Sequence, residues 1–208
     1  DLWALQWMNG KLNNDKGSWN PDDIRLNTLD RESYQLWFNQ GGEATQKSYV
    51  TNPDAEKYND FIFDIPTIEV HKDFLLDALP YYIDDKNRLF VHGGYDNDNL
   101  DWGIEKQGLE SLLWDRKLFS KAFHKQIMHD KHGHDNKISI YDEIFIGHTP
   151  TIMLNKEYYS TTPINKCELW MMDTGASYDG RLTLMDVDTK EFYQSDVVQN
   201  LYPKFKAR

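Results

Sequence analysis

One pattern occurs twice in this chain and limits what it can fold into. Leu89-Phe90-Val91-His92-Gly93-Gly94 is a short apolar run that delivers a histidine at its carboxyl end and then breaks on two glycines. Ile144-Phe145-Ile146-Gly147-His148-Thr149-Pro150 repeats the design with the glycine placed before the histidine. Short runs rich in β-branched and aromatic residues, bounded by Gly and Pro, read as buried strands. In open α/β sheets, ligands gather outside the carboxyl ends of strands. An imidazole anchored there is fixed by the sheet, and a neighbouring glycine leaves room for a metal or a substrate. A histidine at one strand end reads first as a hydrogen-bonded polar residue. Two of them, each beside glycine, bring metal ligation level with that reading.

The rest of the chain supplies both helices and strands. Leu2, Trp3, Leu5, Trp7 and Met8 suit a buried helical face at the very start, and the turn-rich stretch from Asn9 to Pro21 reads as a surface loop. Asp30 or Ser33 caps a helix carrying Tyr34, Leu36, Trp37 and Phe38 that stops at Gly41-Gly42. Another runs from near Ile68 to Pro80. Tyr81-Tyr82-Ile83 pairs with the Leu89 run across Asp84 to Arg88 as a hairpin, and Gly108 to Phe123 reads as helical, with Trp114-Asp115-Arg116 at a bend. Leu169 to Met172, Arg181 to Met185 and Glu191 to Tyr193 complete the strands. The expected fold is α/β, a sandwich of sheets flanked by helices, in a single domain over residues 1–208.

Composition removes several function classes. Lys and Arg number 23 against 34 Asp and Glu, a net charge of −11, so the average surface repels a phosphate backbone and nucleic acid is not an expected partner. Hydrophobic residues at 39% and 14% aromatics exclude a disordered chain. No apolar run is long enough for a membrane span, so no membrane is expected as partner. The single cysteine, Cys167, excludes an internal disulfide and a Cys-rich zinc module, which fits a reducing compartment and gives a cytoplasmic expectation.

Other candidates are weighed against plainer roles. Leu112-Leu113-Trp114-Asp115-Arg116 turns abruptly from apolar to charged. Beside a metal, the planar fork of Arg116 is a bidentate clamp for phosphate; alone, the triplet reads as a local ion pair. His124, His129, His132 and His134 form a local metal-like tract, but interleaved lysines make it a solvated loop. His71 reads as a surface residue of an amphipathic helix, and Cys167 as a buried or idle thiol, with no base beside it. Dinucleotide-binding, Walker, zincin and nucleophile-elbow motifs are absent.

Taken in order, Val91-His92-Gly93-Gly94, Leu113-Trp114-Asp115-Arg116, Ile146-Gly147-His148-Thr149-Pro150 and Met172-Asp173-Thr174-Gly175-Ala176 resemble the calcineurin-like metallophosphoesterases, closest to bacterial and phage serine/threonine phosphoprotein phosphatases of the lambda phosphatase type. Gly41-Gly42 through Ser48-Tyr49 resembles an early stretch of such members, and the likeness runs from residue 1 to about 187. The resemblance implies a four-layer α/β/β/α sandwich with a dinuclear metal centre between the sheets. It assigns His92 and His148 as metal ligands, Arg116 as the phosphate-holding catalytic residue, and Asp173 as a supporting residue. The implied cofactors are two divalent ions, Mn, Fe or Zn. The implied reaction is metal-assisted hydrolysis of a phosphate monoester, with a phosphorylated protein or a small phosphate ester as substrate.

The family's opening motifs, G-D-x-H-G, G-D-x-x-D-R-G and G-N-H-E or G-N-H-D, do not occur here. Asp1-Leu2-Trp3 looks like the end of the last of these, so the expectation is the C-terminal portion of such a domain, with at most partial metal occupancy and little activity by itself. Two alternatives stand beside the phosphatase: a symmetrical dinucleoside polyphosphate hydrolase, which shares the motifs, and a non-catalytic module binding phosphate through His92 and Arg116.

Overall fold

In the computed structural model, which describes residues 2–13, 17, 23–96, 98 and 103–203, helices come first and strands follow. The chain divides into two compact units, residues 1–78 and 79–208.

The first unit is helical. Helices α1 (Leu2–Leu12), α2 (Arg31–Trp37), α3 (Glu43–Lys47) and α4 (Ile65–Asp77) close around Ala4, Trp7, Met8, Trp37 and Ile68. The indole of Trp7 lies 5.8 Å from Trp37, 5.8 Å from Tyr49 and 5.7 Å from Phe63, so aromatic area dominates this core. The sequence reading began a surface loop at Asn9, but α1 continues through Leu12 with Asn9 and Gly10 buried. The reason is tertiary: the Asn9 amide donates to the carbonyls of Arg25 (2.7 Å) and Asn27 (3.4 Å) and is satisfied inside the fold. Most of the rest of that expected loop, residues 14–16 and 18–21, lies outside the described residues.

Asp30 does cap α2, accepting from the amides of Glu32 (2.9 Å) and Ser33 (3.0 Å). The helical course stops at the Gly41-Gly42 pair as expected: Gln40 and Gly41 leave helical geometry, and a new helix, α3, starts at Glu43. Gly41 takes φ 106°, and the backbone passes through a wide turn over residues 38–42 directly into α3.

The second unit is built on a five-stranded mixed sheet. Its strands are β1 (Tyr81–Ile83), β2 (Arg88–Val91), β3 (Glu143–Ile146), β4 (Ile164–Lys166) and β5 (Leu169–Met171), in the order β1-β2-β3-β5-β4. The three central strands β2, β3 and β5 are parallel, and β1 and β4 pair antiparallel at the edges. β4, with one apolar residue in Ile164-Asn165-Lys166, was not anticipated. Strands β6 (Thr183–Met185) and β7 (Phe192–Gln194) form a separate two-stranded sheet. The helical stretch expected from Gly108 consists of two helices, α5 (Leu109–Trp114) and α6 (Lys117–His132), broken at Asp115-Arg116, where a bend was expected. Asp115 makes the break by accepting from the amides of Lys117 (3.1 Å) and Leu118 (3.0 Å). A last short helix spans Val198–Leu201.

The central sheet has two chemically different faces. Leu89, Val91, Ile144, Ile146, Leu169 and Met171 point to the aliphatic side and join Leu112, Leu118 and Ala122 of α5 and α6 in one core. On the other side the pairing aligns Tyr82, Phe90, Phe145 and Trp170 in one cross-strand row. Phe90 and Phe145 are near-parallel at 5.0 Å, and Phe145 and Trp170 at 6.4 Å. The Lys190 ammonium, from the turn between β6 and β7, lies 5.2 Å from the Phe145 ring centre and 2.6 Å from a Glu143 carboxylate oxygen.

The architecture is thus mixed α/β, helices with a mixed sheet plus a small second sheet. Among the described residues no helix is long and apolar enough to cross a membrane.

Candidate functional site

The topology brings the carboxyl ends of the three parallel strands together, and each exits into a residue with chemistry to offer: His92 after β2, His148 after β3 and Asp173 after β5. Backbone bonds extend the ladder past the strands. The Gly147 amide donates to the His92 carbonyl (2.8 Å), Met172 to Ile146 (2.8 Å), and Thr151 to the carbonyl of Asp173 (2.8 Å). The loops bearing the three residues are therefore tied to one another as well as to the sheet.

His92 and His148 face each other, with ring centres 5.2 Å apart and planes inclined at 57°. His148 takes φ 62°, a left-handed conformation uncommon for a residue with a Cβ. Its Nε2 is buried without a hydrogen-bond partner, as is the hydroxyl of Thr149 beside it. A buried ring nitrogen left without a partner costs on the order of 1–3 kcal/mol. A left-handed backbone and two unpartnered buried polar atoms thus fall at one turn.

Burial lowers the pKa of both imidazoles and so favours their neutral forms. His92 keeps an exposed edge, yet neighbouring atoms dehydrate the ring and lower its pKa, against a smaller upward pull from the Asp173 carboxylate. Dehydration also lowers His148, followed by the positive charge of Arg116 and the unfavourable pairing of two protonated rings with His92, with Asp173 and Asp115 opposing. A neutral imidazole is the form that ligates metal.

The glycines of the two motifs do different jobs, and only Gly93 departs from the expected one of leaving room beside a histidine. A Cβ on Gly93 would lie 2.8 Å from the backbone carbon and oxygen of Leu113 and 3.1 Å from the Asp115 amide. The room left by Gly93 is taken by the end of α5, whose Leu112 carbonyl accepts from the Gly93 amide at 2.8 Å. It is a packing glycine, and it sets the distance between His92 and the Asp115-Arg116 break. A Cβ on Gly147 would meet only the His92 carbonyl, at 3.5 Å, and its Nδ1, at 3.9 Å.

Arg116 is exposed at the start of α6, near enough for its charge to act on His148. The Asp115 carboxylate caps the helix, so the ion-pair reading of the triplet is not what this carboxylate does. Asp173 accepts from the Gly175 amide (2.9 Å) and acts electrostatically on both imidazoles.

The other candidates of the second unit stay apart from this cluster. His124, His129 and His132 ride on exposed turns of α6 instead of the expected loop, because α6 runs on to Gly133, where φ 68° ends it. The Nδ1 of His129 lies 2.7 Å from the His134 carbonyl, and the His132 and His134 rings are 5.5 Å apart. Within the first unit, His71 on α4 is exposed and sits 2.7 Å from the Tyr49 hydroxyl. Cys167 occupies the turn between β4 and β5 with φ 54°. Burial first, then Glu168, pushes its thiol up to about 11. The Cys167 Sγ donates to the Ala122 carbonyl at 3.4 Å.

One neighbour of the site was missed. Trp114, the last residue of α5, meets the His148 ring edge to face at 5.3 Å and 81°. A tryptophan closing an apolar helical run reads as core, and only its place directly before Asp-Arg hinted otherwise.

No protein-family model matches this chain, and no curated protein shows significant similarity to it.

Proposed function

We propose that this chain carries the histidine and arginine part of a divalent-metal phosphomonoesterase site, in a domain of the calcineurin-like metallophosphoesterase type that includes both units. The observation that carries the reading is the pair His92 and His148 at adjacent parallel strand ends, with a buried, partnerless Nε2 on His148. Two imidazoles bound to one tetrahedral ion at about 2.0–2.1 Å would hold their ring centres about 5 Å apart, and these stand at 5.2 Å. The pair fits the nitrogen share of such a site. Among the described residues no group of three or more His, Cys, Asp or Glu side chains gathers to complete one.

A metal ion bound there supplies Lewis acidity and acidifies water. The chain's own residues do the rest. His92 and His148 hold the ion as neutral imidazoles, and their strand-end anchorage fixes its position. The exposed Arg116 guanidinium grips two non-bridging phosphate oxygens and offsets the charge that accumulates on them. Asp173, fixed by the Gly175 amide, balances positive charge around both rings. Water adds to phosphorus as the ester oxygen leaves with a proton, giving an alcohol and inorganic phosphate. Phosphoserine or phosphothreonine proteins are the favoured substrates, with dinucleoside polyphosphates the alternative.

The test is hydrolysis of p-nitrophenyl phosphate with added Mn²⁺, together with metal content, for this chain, for any longer product of its gene, and for His92→Ala and Arg116→Ala. Activity in the longer product that both substitutions abolish, with little or none from the 208 residues alone, is the expected outcome. Phosphate binding without turnover in every form would favour the non-catalytic module.

A further inference from the structure

We propose that Trp114 is a positioning residue for His148: its indole closes the open side of the imidazole and fixes the direction in which the buried Nε2 points. The inference rests on the metal-site reading above. It starts from a mismatch in how the two histidines are held. His92 keeps an exposed edge, whereas His148 is half-buried with its Nε2 shut off from solvent. Strand β3 ends before His148, and the turn that follows gives it a left-handed backbone. The backbone there fixes where the ring starts and leaves its rotation to its neighbours.

Two rings supply that restraint. His92 approaches at 5.2 Å with planes at 57°, and Trp114 at 5.3 Å with planes at 81°. The edge-to-face contact is directional, since the positive edge of one ring meets the negative face of the other, so it favours one orientation of the imidazole. Trp114 is itself held as the closing residue of α5, whose end the Gly93 amide clamps through the Leu112 carbonyl at 2.8 Å. It is nevertheless 44% exposed, far more than packing alone would select for a tryptophan. The same short segment thus carries Trp114 against one metal-binding histidine and Arg116 toward the substrate, so aim of the ligand and grip on the phosphate move together.

Two measurements separate this inference from the metal reading. The first uses diethyl pyrocarbonate with peptide mapping, and no metal. His148 should be modified more slowly than His92, and Trp114→Met, which keeps apolar bulk without an aromatic face, should speed modification of His148 about 3- to 10-fold, as loss of one aromatic contact would. Trp114→Phe should restore most of the protection. Equal His148 rates in all three proteins would overturn the positioning role. The second titrates Co²⁺ and follows its visible absorption. Loss of the bound spectrum in His148→Ala, with about 10-fold weaker binding in Trp114→Met and recovery in Trp114→Phe, is expected of a side chain that orients a ligand. Co²⁺ bound equally by wild type and Trp114→Met would sink the inference and leave the metal reading standing. No Co²⁺ bound by the wild type even at millimolar Co²⁺ would overturn metal ligation by this chain's own histidine pair and, with it, the assignment of Trp114 to a ligand. Melting temperatures of both variants, expected close to wild type because Trp114 is exposed, keep misfolding from imitating either result.

Discussion

Gly93 and Gly147 sit beside the two site histidines in near-identical sequence settings, and the structure predicts opposite outcomes for the same substitution. In Gly93→Ala the new Cβ falls 2.8 Å from the Leu113 carbonyl carbon and oxygen and 3.1 Å from the Asp115 nitrogen. All three are backbone atoms, so no side chain can swing away, and the exit of β2 must part from the end of α5. Overpacking of this kind costs about 1–3 kcal/mol. Stiffening of the unfolded chain returns about 0.4–1 kcal/mol. The net loss should be about 1–2 kcal/mol, a fall in melting temperature of roughly 2–8 °C for a chain of this length. In Gly147→Ala the nearest atoms are at 3.5 and 3.9 Å, ordinary contact distances, and the glycine has no positive φ to defend. Only the unfolded-state gain remains, so this variant should match or slightly exceed wild type. Urea and thermal unfolding of both variants decide the matter. A Gly93→Ala protein as stable as wild type, or a Gly147→Ala protein that loses as much as Gly93→Ala, would refute the argument that the α5 backbone selects glycine at 93.

Three further outcomes are expected. Arg88 bonds Asp84 through Nε (2.7 Å) and Asp188 through Nη1 (2.5 Å). The Asp188 carboxyl is held at about 2 by Lys86 first and then Arg88, while burial pushes Asp84 up less than the Arg88 amide and guanidinium pull it down. Both folded pKa values are depressed, so this stabilisation is complete above the ordinary carboxylate value and is lost as pH falls from about 4 toward 2. Arg88→Met should melt well below wild type at pH 7, and the gap should narrow steadily as pH falls from about 4 toward 2; a constant gap would refute the assignment. Cys167, with its thiol raised from the ordinary 9.0 to about 11, should carry about 100-fold less thiolate than an ordinary thiol at pH 8. Its iodoacetamide rate should keep rising through pH 10, and a plateau below pH 9 would contradict this. Asp30→Ala removes two capping bonds from α2 and should cost about 1 kcal/mol, with Asp30→Ser recovering most of it in the same urea titration.

The strands that were legible in the sequence are those whose apolar runs are continuous. β2, β3 and β5 are buried in the sheet, so Leu89-Phe90-Val91 and its counterparts announce themselves, and the histidine at the end of each motif could be placed at once. β4 was hidden because an edge strand of Ile164-Asn165-Lys166 needs one inward side chain only. The end of α1 was misjudged because Asn9 and Gly10 carry local turn preferences that distant carbonyls override. The same limit applies to the site. His92, His148, Arg116 and Asp173 each stand in a readable motif, but nothing in Leu113-Trp114 says that the indole reaches a ring 34 residues further along. Nor does a Gly-Gly pair reveal whether its missing side chains make way for a ligand or for a helix.

The two faces of the central sheet bear on how the chain avoids misassembly. A slip of one residue in β3 would carry Phe145 into the aliphatic layer beneath α6 and turn Ile144 and Ile146 outward. The same slip would bring Glu143 to the aliphatic side, away from the Lys190 ammonium and from the Trp170 indole N–H that now donates to it at 3.2 Å. A misregistered β3 would thus incur a buried charge, a lost ion pair and a mismatched ring at once. The alternation sets the observed register of β3 apart from its one-residue neighbours on three independent grounds.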